Sequence, residues 1–296
     1  MSEWVEGAAG AGELAHPEAV RSAEKYAVLA RWRFGDRLVG LYLIGSGAAG
    51  GYDVRRSDVD LLAVLTGRMD SDCRNIRRAW LVSGVRSTAL ALRHGRITGA
   101  GTCNVGYISS EQVTLPVTTI DPIGSHVGHQ RACGRAFDVN PVQWRTLLDH
   151  GVAIVGAPPV DLGLEPEPDK LVRWNHENLH DYWLPLARRV QRGHKPLPCH
   201  TIQTGLHWSV LGPLRLLVTI STGQVVSKRS AGDHGLSHME PRWHPLIRAA
   251  QAALDGRDAN LPQTNRRSLL RQVGDFGVAV VDAADALLGG PPSRER

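Results

Sequence analysis

The chain has 296 residues, of which 42% are hydrophobic and 21% are charged. This length fits two domains of ordinary size, and the composition excludes an intrinsically disordered chain. The formal net charge is only +5, and the arginines are dispersed, which favours a phosphate-bearing small ligand over a nucleic-acid partner. No segment has the roughly 18 to 20 apolar residues of a membrane span. The four cysteines support neither a disulfide framework nor a cysteine zinc site, so we expect a cytoplasmic protein.

The first half of the chain alternates between helical and extended patterns. Some segments carry apolar residues at helical spacing, and others are short continuous apolar runs that are typical of buried strands. In chain order we predict a helix over 16–33, strands over 38–44 and 59–65, a helix over 70–93, a strand over 103–109, a helix over 141–150 and a strand over 152–155. This order predicts an α/β domain.

A proline-rich segment ends this pattern. Residues 156–169 cannot continue a helix, so we place a domain boundary near residue 160. Beyond it we predict helices over 170–191, 201–221, 241–254 and 265–288, and therefore an α/β domain over 1–160 and an all-α domain over 161–296. The stretches around the histidine pairs His126/His129 and His234/His238 read as loops.

A glycine-serine turn and two aspartates carry the strongest chemical signal. Gly45 and Ser46 follow the first predicted strand, and Asp58 and Asp60 begin the second. Residues two apart on a strand share a face at about 6.6 Å, so both carboxylates can bind one Mg²⁺, which prefers oxygen ligands. Backbone N–H groups and the hydroxyl of the turn can bind phosphate.

These residues, in this order, resemble the signature of the nucleotidyltransferase superfamily, and more narrowly that of the streptomycin/spectinomycin 3''(9)-adenylyltransferases. The resemblance extends from about residue 38 to 256. Arg215, the turn at 219–223 and Lys228 resemble the family's arginine, Thr-Gly turn and lysine that contact the ATP phosphates. The family resemblance implies a nucleotidyltransferase-type α/β domain followed by a helical bundle, with ATP and Mg²⁺ in the cleft between them.

The most serious departure from that family concerns the general base. A third carboxylate, which acts as general base, is expected on the strand over 103–109, where this chain has Asn104. The amide oxygen of Asn104 could contact a metal, but the side chain cannot accept a proton at neutral pH. Glu111 and Asp121 are the nearest alternative carboxylates in the sequence.

The resemblance implies transfer of a nucleoside monophosphate, AMP from ATP, to a hydroxyl group of a small acceptor, with Mg²⁺ as cofactor. Asp58, Asp60 and Asn104 would form the catalytic group, while Gly45, Ser46, Arg215 and Lys228 would bind phosphate. A non-catalytic nucleotide-binding protein that has lost the base is the alternative. The acceptor is not identified by the sequence.

A second motif points to different chemistry. His176, Glu177 and His180 fit H-E-x-x-H, in which two histidines of one helix bind zinc and the glutamate activates water. The next residues do not follow the usual zinc-protease pattern, and no third ligand is evident. A zinc peptidase is therefore the third hypothesis.

Overall fold

The structure, a computed structural model, describes residues 14–55, 57–94, 102–128, 130–192, 202–257, 259 and 266–292. The chain divides into two compact units by its internal contacts. Unit 1 ends at Glu167, and unit 2 begins at Pro168. Among the described residues, no helix combines the length and the apolar character needed to cross a membrane.

Unit 1 contains a six-stranded sheet in the order β5-β4-β3-β2-β1-β6. Its elements are α1 (Pro17–Phe34), β1 (Leu38–Ile44), α2 (Gly45–Ala48), β2 (Val59–Leu65), α3 (Asp72–His94), β3 (Cys103–Ser109), β4 (Gly124–Val127), β5 (Gln130–Cys133), α4 (Pro141–His150) and β6 (Val152–Val155). Strands β2 and β3 are parallel, as the crossover through α3 requires, and the other neighbours are antiparallel.

The two faces of this sheet have separate apolar cores. One face packs against α1 and α3 through residues such as Leu61 and Val105. The other packs against α4, where Trp144 contacts a cluster that includes Leu62 and Ile108. Because side chains alternate along a strand, the face covered by α4 is also the one that carries residue 60 of β2 and residue 104 of β3.

The described part of unit 2 is helical. Its elements are α5 (Pro168–Asn178), a π-helical turn (Leu179–Trp183), α6 (Leu184–Gln191), α7 (Ile202–Thr222), α8 (Lys228–His238), α9 (His244–Leu254) and α10 (Arg266–Leu288). Helix α7 is central, because it packs against α5, α8, α9 and α10. Its buried leucines and valines form one core with Trp243 and Phe276, whose rings meet edge to face at 5.4 Å.

Helix α8 corrects the prediction that the stretch around His234 and His238 is a loop. The sequence misled us because two glycines and many polar residues lower its helix propensity. Tertiary packing requires those glycines, since a Cβ on Gly232 would lie 2.5 Å from Gln251 Nε2 and one on Gly235 would lie 2.5 Å from Leu214 Cδ2. Close packing against α7 and α9 therefore outweighs intrinsic propensity.

Strands β4 and β5 were also not predicted. His126 lies in β4, so its stretch is not a loop, whereas His129 lies outside the described residues. Each of these strands has only four residues, too few for a clear alternating pattern. A disulfide joins Cys133 of β5 to Cys73 of α3, with Cα atoms 5.7 Å apart, a pairing that the sequence spacing did not suggest.

Candidate functional site

The two carboxylates predicted to bind metal lie together in unit 1. Asp60 is the second residue of β2, and Asn104 is directly opposite it on β3. The amide nitrogen Nδ2 of Asn104 donates one hydrogen bond to Asp58 Oδ2 at 2.6 Å and another to Asp60 Oδ1 at 3.0 Å. Oxygens of two carboxylates therefore converge on a single atom. Parallel pairing of β2 with β3 places the three side chains together.

The backbone fixes the orientation of the Asn104 amide. Its Oδ1 accepts a hydrogen bond from the N–H of Gly128 at 2.9 Å. Because a backbone N–H can only donate, the oxygen must face Gly128 and the NH₂ group must face the carboxylates. Asn104 is 4% exposed, whereas Asp60 is half-buried and Asp58 is exposed, so it is the amide that is shielded from water. Asn104 thus presents nitrogen to the aspartates, whereas the sequence had suggested a metal contact through its oxygen.

The glycine-serine turn borders the same aspartates. Ile44, the last residue of β1, pairs with Asp60, so Gly45 and Ser46 begin the short helix α2 beside that carboxylate. Gly45 has a φ of +63°, and a Cβ there would collide with Oδ2 of Asp60. Only glycine satisfies both demands, because it tolerates this φ and adds no atom. The half-buried Ser46 follows directly.

The sequence analysis missed one buried carboxylate, Asp138, in the loop between β5 and α4. It is 7% exposed, and its Oδ2 makes no hydrogen bond. Burial raises the pKa of the Asp138 carboxyl to about 6, and the negative charge of Asp58 contributes to the rise. The same loop covers the β3 face that carries Asn104, since a Cβ on Gly106 would lie 3.7 Å from Val139.

No local sequence signal identifies Asp138. It lies two residues before Asn140, whose side chain caps α4 by accepting a hydrogen bond from the N–H of Gln143 at 3.0 Å. A polar residue before a helix is normally interpreted as part of the cap. Its relation to Asp58 depends on how the loop folds over the sheet, and spacing along the chain does not show this.

The structure does not bring the two alternative carboxylates to this site. Asn104 lies near the beginning of β3, and Glu111 lies beyond its end. At about 3.3 Å per residue, the strand from Asn104 to its last residue, Ser109, is about 17 Å long, and Glu111 lies after that. Asp121 forms an exposed ion pair with Arg68 at 2.9 Å. The expectation that Glu111 or Asp121 replaces the missing base is therefore wrong.

The cations predicted to bind phosphate lie at one connection in unit 2. Arg215 of α7 donates from Nε to the carbonyl of Val226 at 2.9 Å, and Lys228 is the first residue of α8. Helix α7 ends through Gly223, whose φ is +70° and whose N–H donates to the carbonyl of Thr219 at 2.8 Å. This glycine turn reverses the chain between the two cations.

The H-E-x-x-H motif is helical, and its histidines share a carboxylate. Nε2 of His176 and Nε2 of His180 lie 2.6 Å and 2.8 Å from Oδ1 of Asp285 on α10. The glutamate of the motif is engaged elsewhere, because Glu177 accepts a hydrogen bond from Arg173 Nε at 2.8 Å. A third ligand-like group therefore exists, but it comes from more than a hundred residues later in the chain.

Comparisons with known proteins find two similarities, one in sequence and one in structure. Residues 197–277 match a family model described as the C-terminal domain of aminoglycoside adenylyltransferase. The structure is similar to the crystal structure of spectinomycin adenyltransferase AAD(9) from Enterococcus faecialis, solved with ATP and spectinomycin. The TM-score is 0.61 at 12% identity, over 90% of this chain and 98% of that chain. No curated protein matches the sequence.

The two matches support each other. The family model lies within unit 2, and the structural similarity extends over both units. At 12% identity the structural match establishes the fold alone. The resemblance to aminoglycoside adenylyltransferases that the sequence motifs indicated is thus confirmed.

Proposed function

Starting from this resemblance, we propose that the protein transfers AMP from ATP to a hydroxyl group of a small molecule of the aminoglycoside class, with Mg²⁺ as cofactor. The observation that carries the proposal is the convergence of one oxygen from Asp58 and one from Asp60 on a single atom beside the Gly45 turn. Two carboxylates and a phosphate-binding turn are what a metal-dependent nucleotidyl transfer needs.

The donor set suits Mg²⁺. A hard divalent cation binds carboxylate oxygens at about 2.0 to 2.1 Å and keeps other positions for phosphate and water. Oxygens of Asp58 and Asp60 lie 2.6 Å and 3.0 Å from the Asn104 nitrogen, so they already face a common point. Asp58 and Asp60 would hold the ion, which when bound would offset the charge of the triphosphate.

The remaining residues would orient the nucleotide. Backbone N–H groups at Gly45 and Ser46 are suited to an anion, because they begin a helix directly after a strand. Arg215 and Lys228 would add positive charge to the phosphates and oppose the negative charge that develops on the departing pyrophosphate. Each contributes a different donor geometry, since guanidinium is a planar fork and ammonium a point charge.

We assign the role of general base to Asp138. In the proposed step, the acceptor hydroxyl oxygen bonds to the α-phosphorus, the bond from that phosphorus to the bridging oxygen breaks, and pyrophosphate leaves. The hydroxyl proton passes to a free carboxylate oxygen of Asp138. A base is most effective when its pKa is near the working pH, and burial raises the pKa of the Asp138 carboxyl to about 6.

The use of ATP as the nucleotide donor also indicates the compartment in which the reaction would take place. Because ATP is abundant in the cytoplasm, we propose that the reaction takes place there. If the acceptor is an aminoglycoside antibiotic, adenylylation would confer resistance by changing the groups with which the drug binds its target. Spectinomycin and streptomycin are therefore the first acceptors to test.

The direct test measures pyrophosphate release from Mg·ATP with spectinomycin, streptomycin and a panel of hydroxylated amines. We expect release that depends on both the acceptor and Mg²⁺. Asp60→Asn should abolish it, whereas Asp53→Asn, which changes a carboxylate in the preceding loop, should retain it. Asp138→Asn should leave ATP affinity unchanged and lower turnover by about 10²- to 10⁴-fold, the usual contribution of a general base.

Two outcomes would contradict the proposal. Equal ATP affinity and equal turnover in wild type and Asp60→Asn would remove the carboxylate pair from the mechanism. Tight, Mg²⁺-dependent ATP binding without pyrophosphate release for any acceptor would instead favour a non-catalytic nucleotide-binding protein. Full activity in Asp138→Asn would show that the base lies elsewhere, without contradicting the nucleotide site.

A further inference from the structure

A compact group of three potential metal ligands lies entirely within unit 2. His176 of α5, His180 of the π-helical turn and Asp285 of α10 each offer one ligand atom, and these atoms all lie within 4.8 Å of one another. Both histidines present Nε2, and both of these nitrogens approach the same oxygen of Asp285. The group therefore connects the first helical segment of unit 2 to its last helix.

We propose that His176, His180 and Asp285 form a binding site for a divalent transition metal, of which Zn²⁺ is the best candidate. Two imidazoles and one carboxylate are a common three-ligand set for zinc, and a water molecule completes the tetrahedron. The inference does not depend on the proposed nucleotidyl transfer, because none of its residues takes part in that reaction.

The distances fit a small rearrangement. Zinc binds histidine nitrogen and carboxylate oxygen at about 2.0 to 2.1 Å, which in a tetrahedron separates ligand atoms by about 3.3 Å. The two nitrogen-to-oxygen distances are now 2.6 Å and 2.8 Å, so these atoms would separate by less than about 1 Å to admit the ion. The two histidine nitrogens lie within 4.8 Å of each other, so they would approach each other by at most about 1.5 Å to reach the same separation.

The environment also suits a bound metal. The His176 side chain is 5% exposed, that of His180 is 16% exposed and that of Asp285 is 24% exposed. The two histidines are thus largely shielded from water, and the carboxylate is the most exposed of the three groups. Two nitrogen ligands out of three select Zn²⁺, Co²⁺ or Ni²⁺ over Mg²⁺ and Ca²⁺.

The structure favours a stabilising role for this metal and not a peptidase. A zinc peptidase needs the glutamate of the motif to activate water, but Glu177 is held by Arg173 one turn earlier on the exposed side of α5. A bound ion would instead link segments that are 105 and 109 residues apart in the chain. Such a link opposes separation of α10 from the first helical segment of unit 2.

The experiment titrates the full-length, chelator-treated protein with Zn²⁺ by calorimetry and follows Co²⁺ binding by visible absorption. We expect one equivalent of Zn²⁺, an increase in melting temperature and the absorption typical of four-coordinate Co²⁺. Loss of a residue that only hydrogen-bonds to a metal ligand weakens metal binding by about 10- to 100-fold. His180→Gln and Asp285→Asn each change a direct ligand, so each should weaken Zn²⁺ binding by at least that factor.

Two further variants keep the result interpretable. His234 and His238 of α8 also lie four residues apart and stack at 3.9 Å, so replacing both with Gln is a matched control that should leave Zn²⁺ affinity unchanged. His180→Cys keeps a zinc ligand, and it should bind Co²⁺ with added thiolate absorption. The proposal is overturned if the folded wild type takes up no Zn²⁺, or if His180→Gln and Asp285→Asn both still bind it. It is also overturned if the control with Gln at positions 234 and 238 loses Zn²⁺ binding, or if folded His180→Cys binds no metal.

Discussion

Replacing Asn104 with aspartate tests the central interaction of the candidate site. The substitution retains the shape of the side chain but removes the NH₂ group that donates to Asp58 at 2.6 Å and to Asp60 at 3.0 Å. It also adds a third negative charge at the point where two carboxylates already converge. We therefore expect opposite effects with and without a divalent cation.

The magnitude follows from those two hydrogen bonds. A hydrogen bond to a charged group is worth about 1.5 to 3 kcal/mol, so losing the bond to the half-buried Asp60 removes about that much from the free energy of unfolding. The bond to Asp58 adds less, because this carboxylate is exposed and can bind water instead. Repulsion from the new carboxylate adds to this loss until the group binds a proton. In a domain of this size, about 3 kcal/mol lowers the melting temperature by roughly 6 to 12 °C.

The assay compares thermal unfolding of wild type, Asn104→Ala and Asn104→Asp, each in EDTA and in excess Mg²⁺. Asn104→Ala loses the bonds without adding charge, so it separates the two effects. In EDTA we expect Asn104→Asp to be the least stable, and in Mg²⁺ it should gain the most, because it supplies a third carboxylate. Pyrophosphate release by Asn104→Asp should also increase. Equal melting temperatures of Asn104→Asp and wild type in EDTA would refute the reasoning.

Three further predictions concern unit 1. Burial raises the folded-state pKa of Asp138 from 3.8 to about 6, so the contribution of this carboxyl to the free energy of unfolding falls as the pH rises from about 4 through 6. In urea unfolding, Asp138→Asn should flatten this pH dependence and raise the free energy of unfolding by up to about 3 kcal/mol at pH 7. Gly45→Ala should weaken Mg²⁺-dependent stabilisation, because its Cβ would collide with Asp60. Gly50→Ala is the control: φ is similar at +74°, but the nearest contacts of its Cβ are atoms of Leu14, so it should affect stability alone. Arg37 forms an ion pair with Asp72 at 2.6 Å, and the Asp72 side chain is 1% exposed. Arg37→Met should lower the free energy of unfolding by about 3 to 5 kcal/mol, because it leaves that buried charge with no cation and with the N–H of Met69 as a remaining donor; a loss below about 1 kcal/mol would contradict this.

The sequence predicted the elements whose signals are local. The strands Leu38–Ile44, Val59–Leu65, Cys103–Ser109 and Val152–Val155 have the predicted bounds, because compact apolar runs next to turn residues define them. Spacing also predicted that the two aspartates lie together, and both accept hydrogen bonds from Asn104, although Asp58 precedes the strand that contains Asp60. Such features need no knowledge of the remaining chain.

What the sequence did not show depends on residues far apart in the chain. Asp138 joins the carboxylates through a loop that folds over β3, and Asp285 joins the histidine pair from α10. Helix α8 is stabilised by the close approach of its glycines to α7 and α9, an approach that propensity alone argues against. In each case a tertiary contact supplies the information that local pattern lacks.

The π-helical turn also constrains how this chain can vary in length. Helix α6 follows the turn and packs against two glycines of α10 through Ala187. A Cβ on Gly274 would lie 2.7 Å from the carbonyl oxygen of Ala187, and a Cβ on Gly277 would lie 2.8 Å from the Cβ of Ala187. Removing one residue from 179–183 would rotate every later residue of that helix by about 100°. A larger side chain would then face the glycines, so homologues that share this packing should show no insertions or deletions in this segment, even where its residues differ.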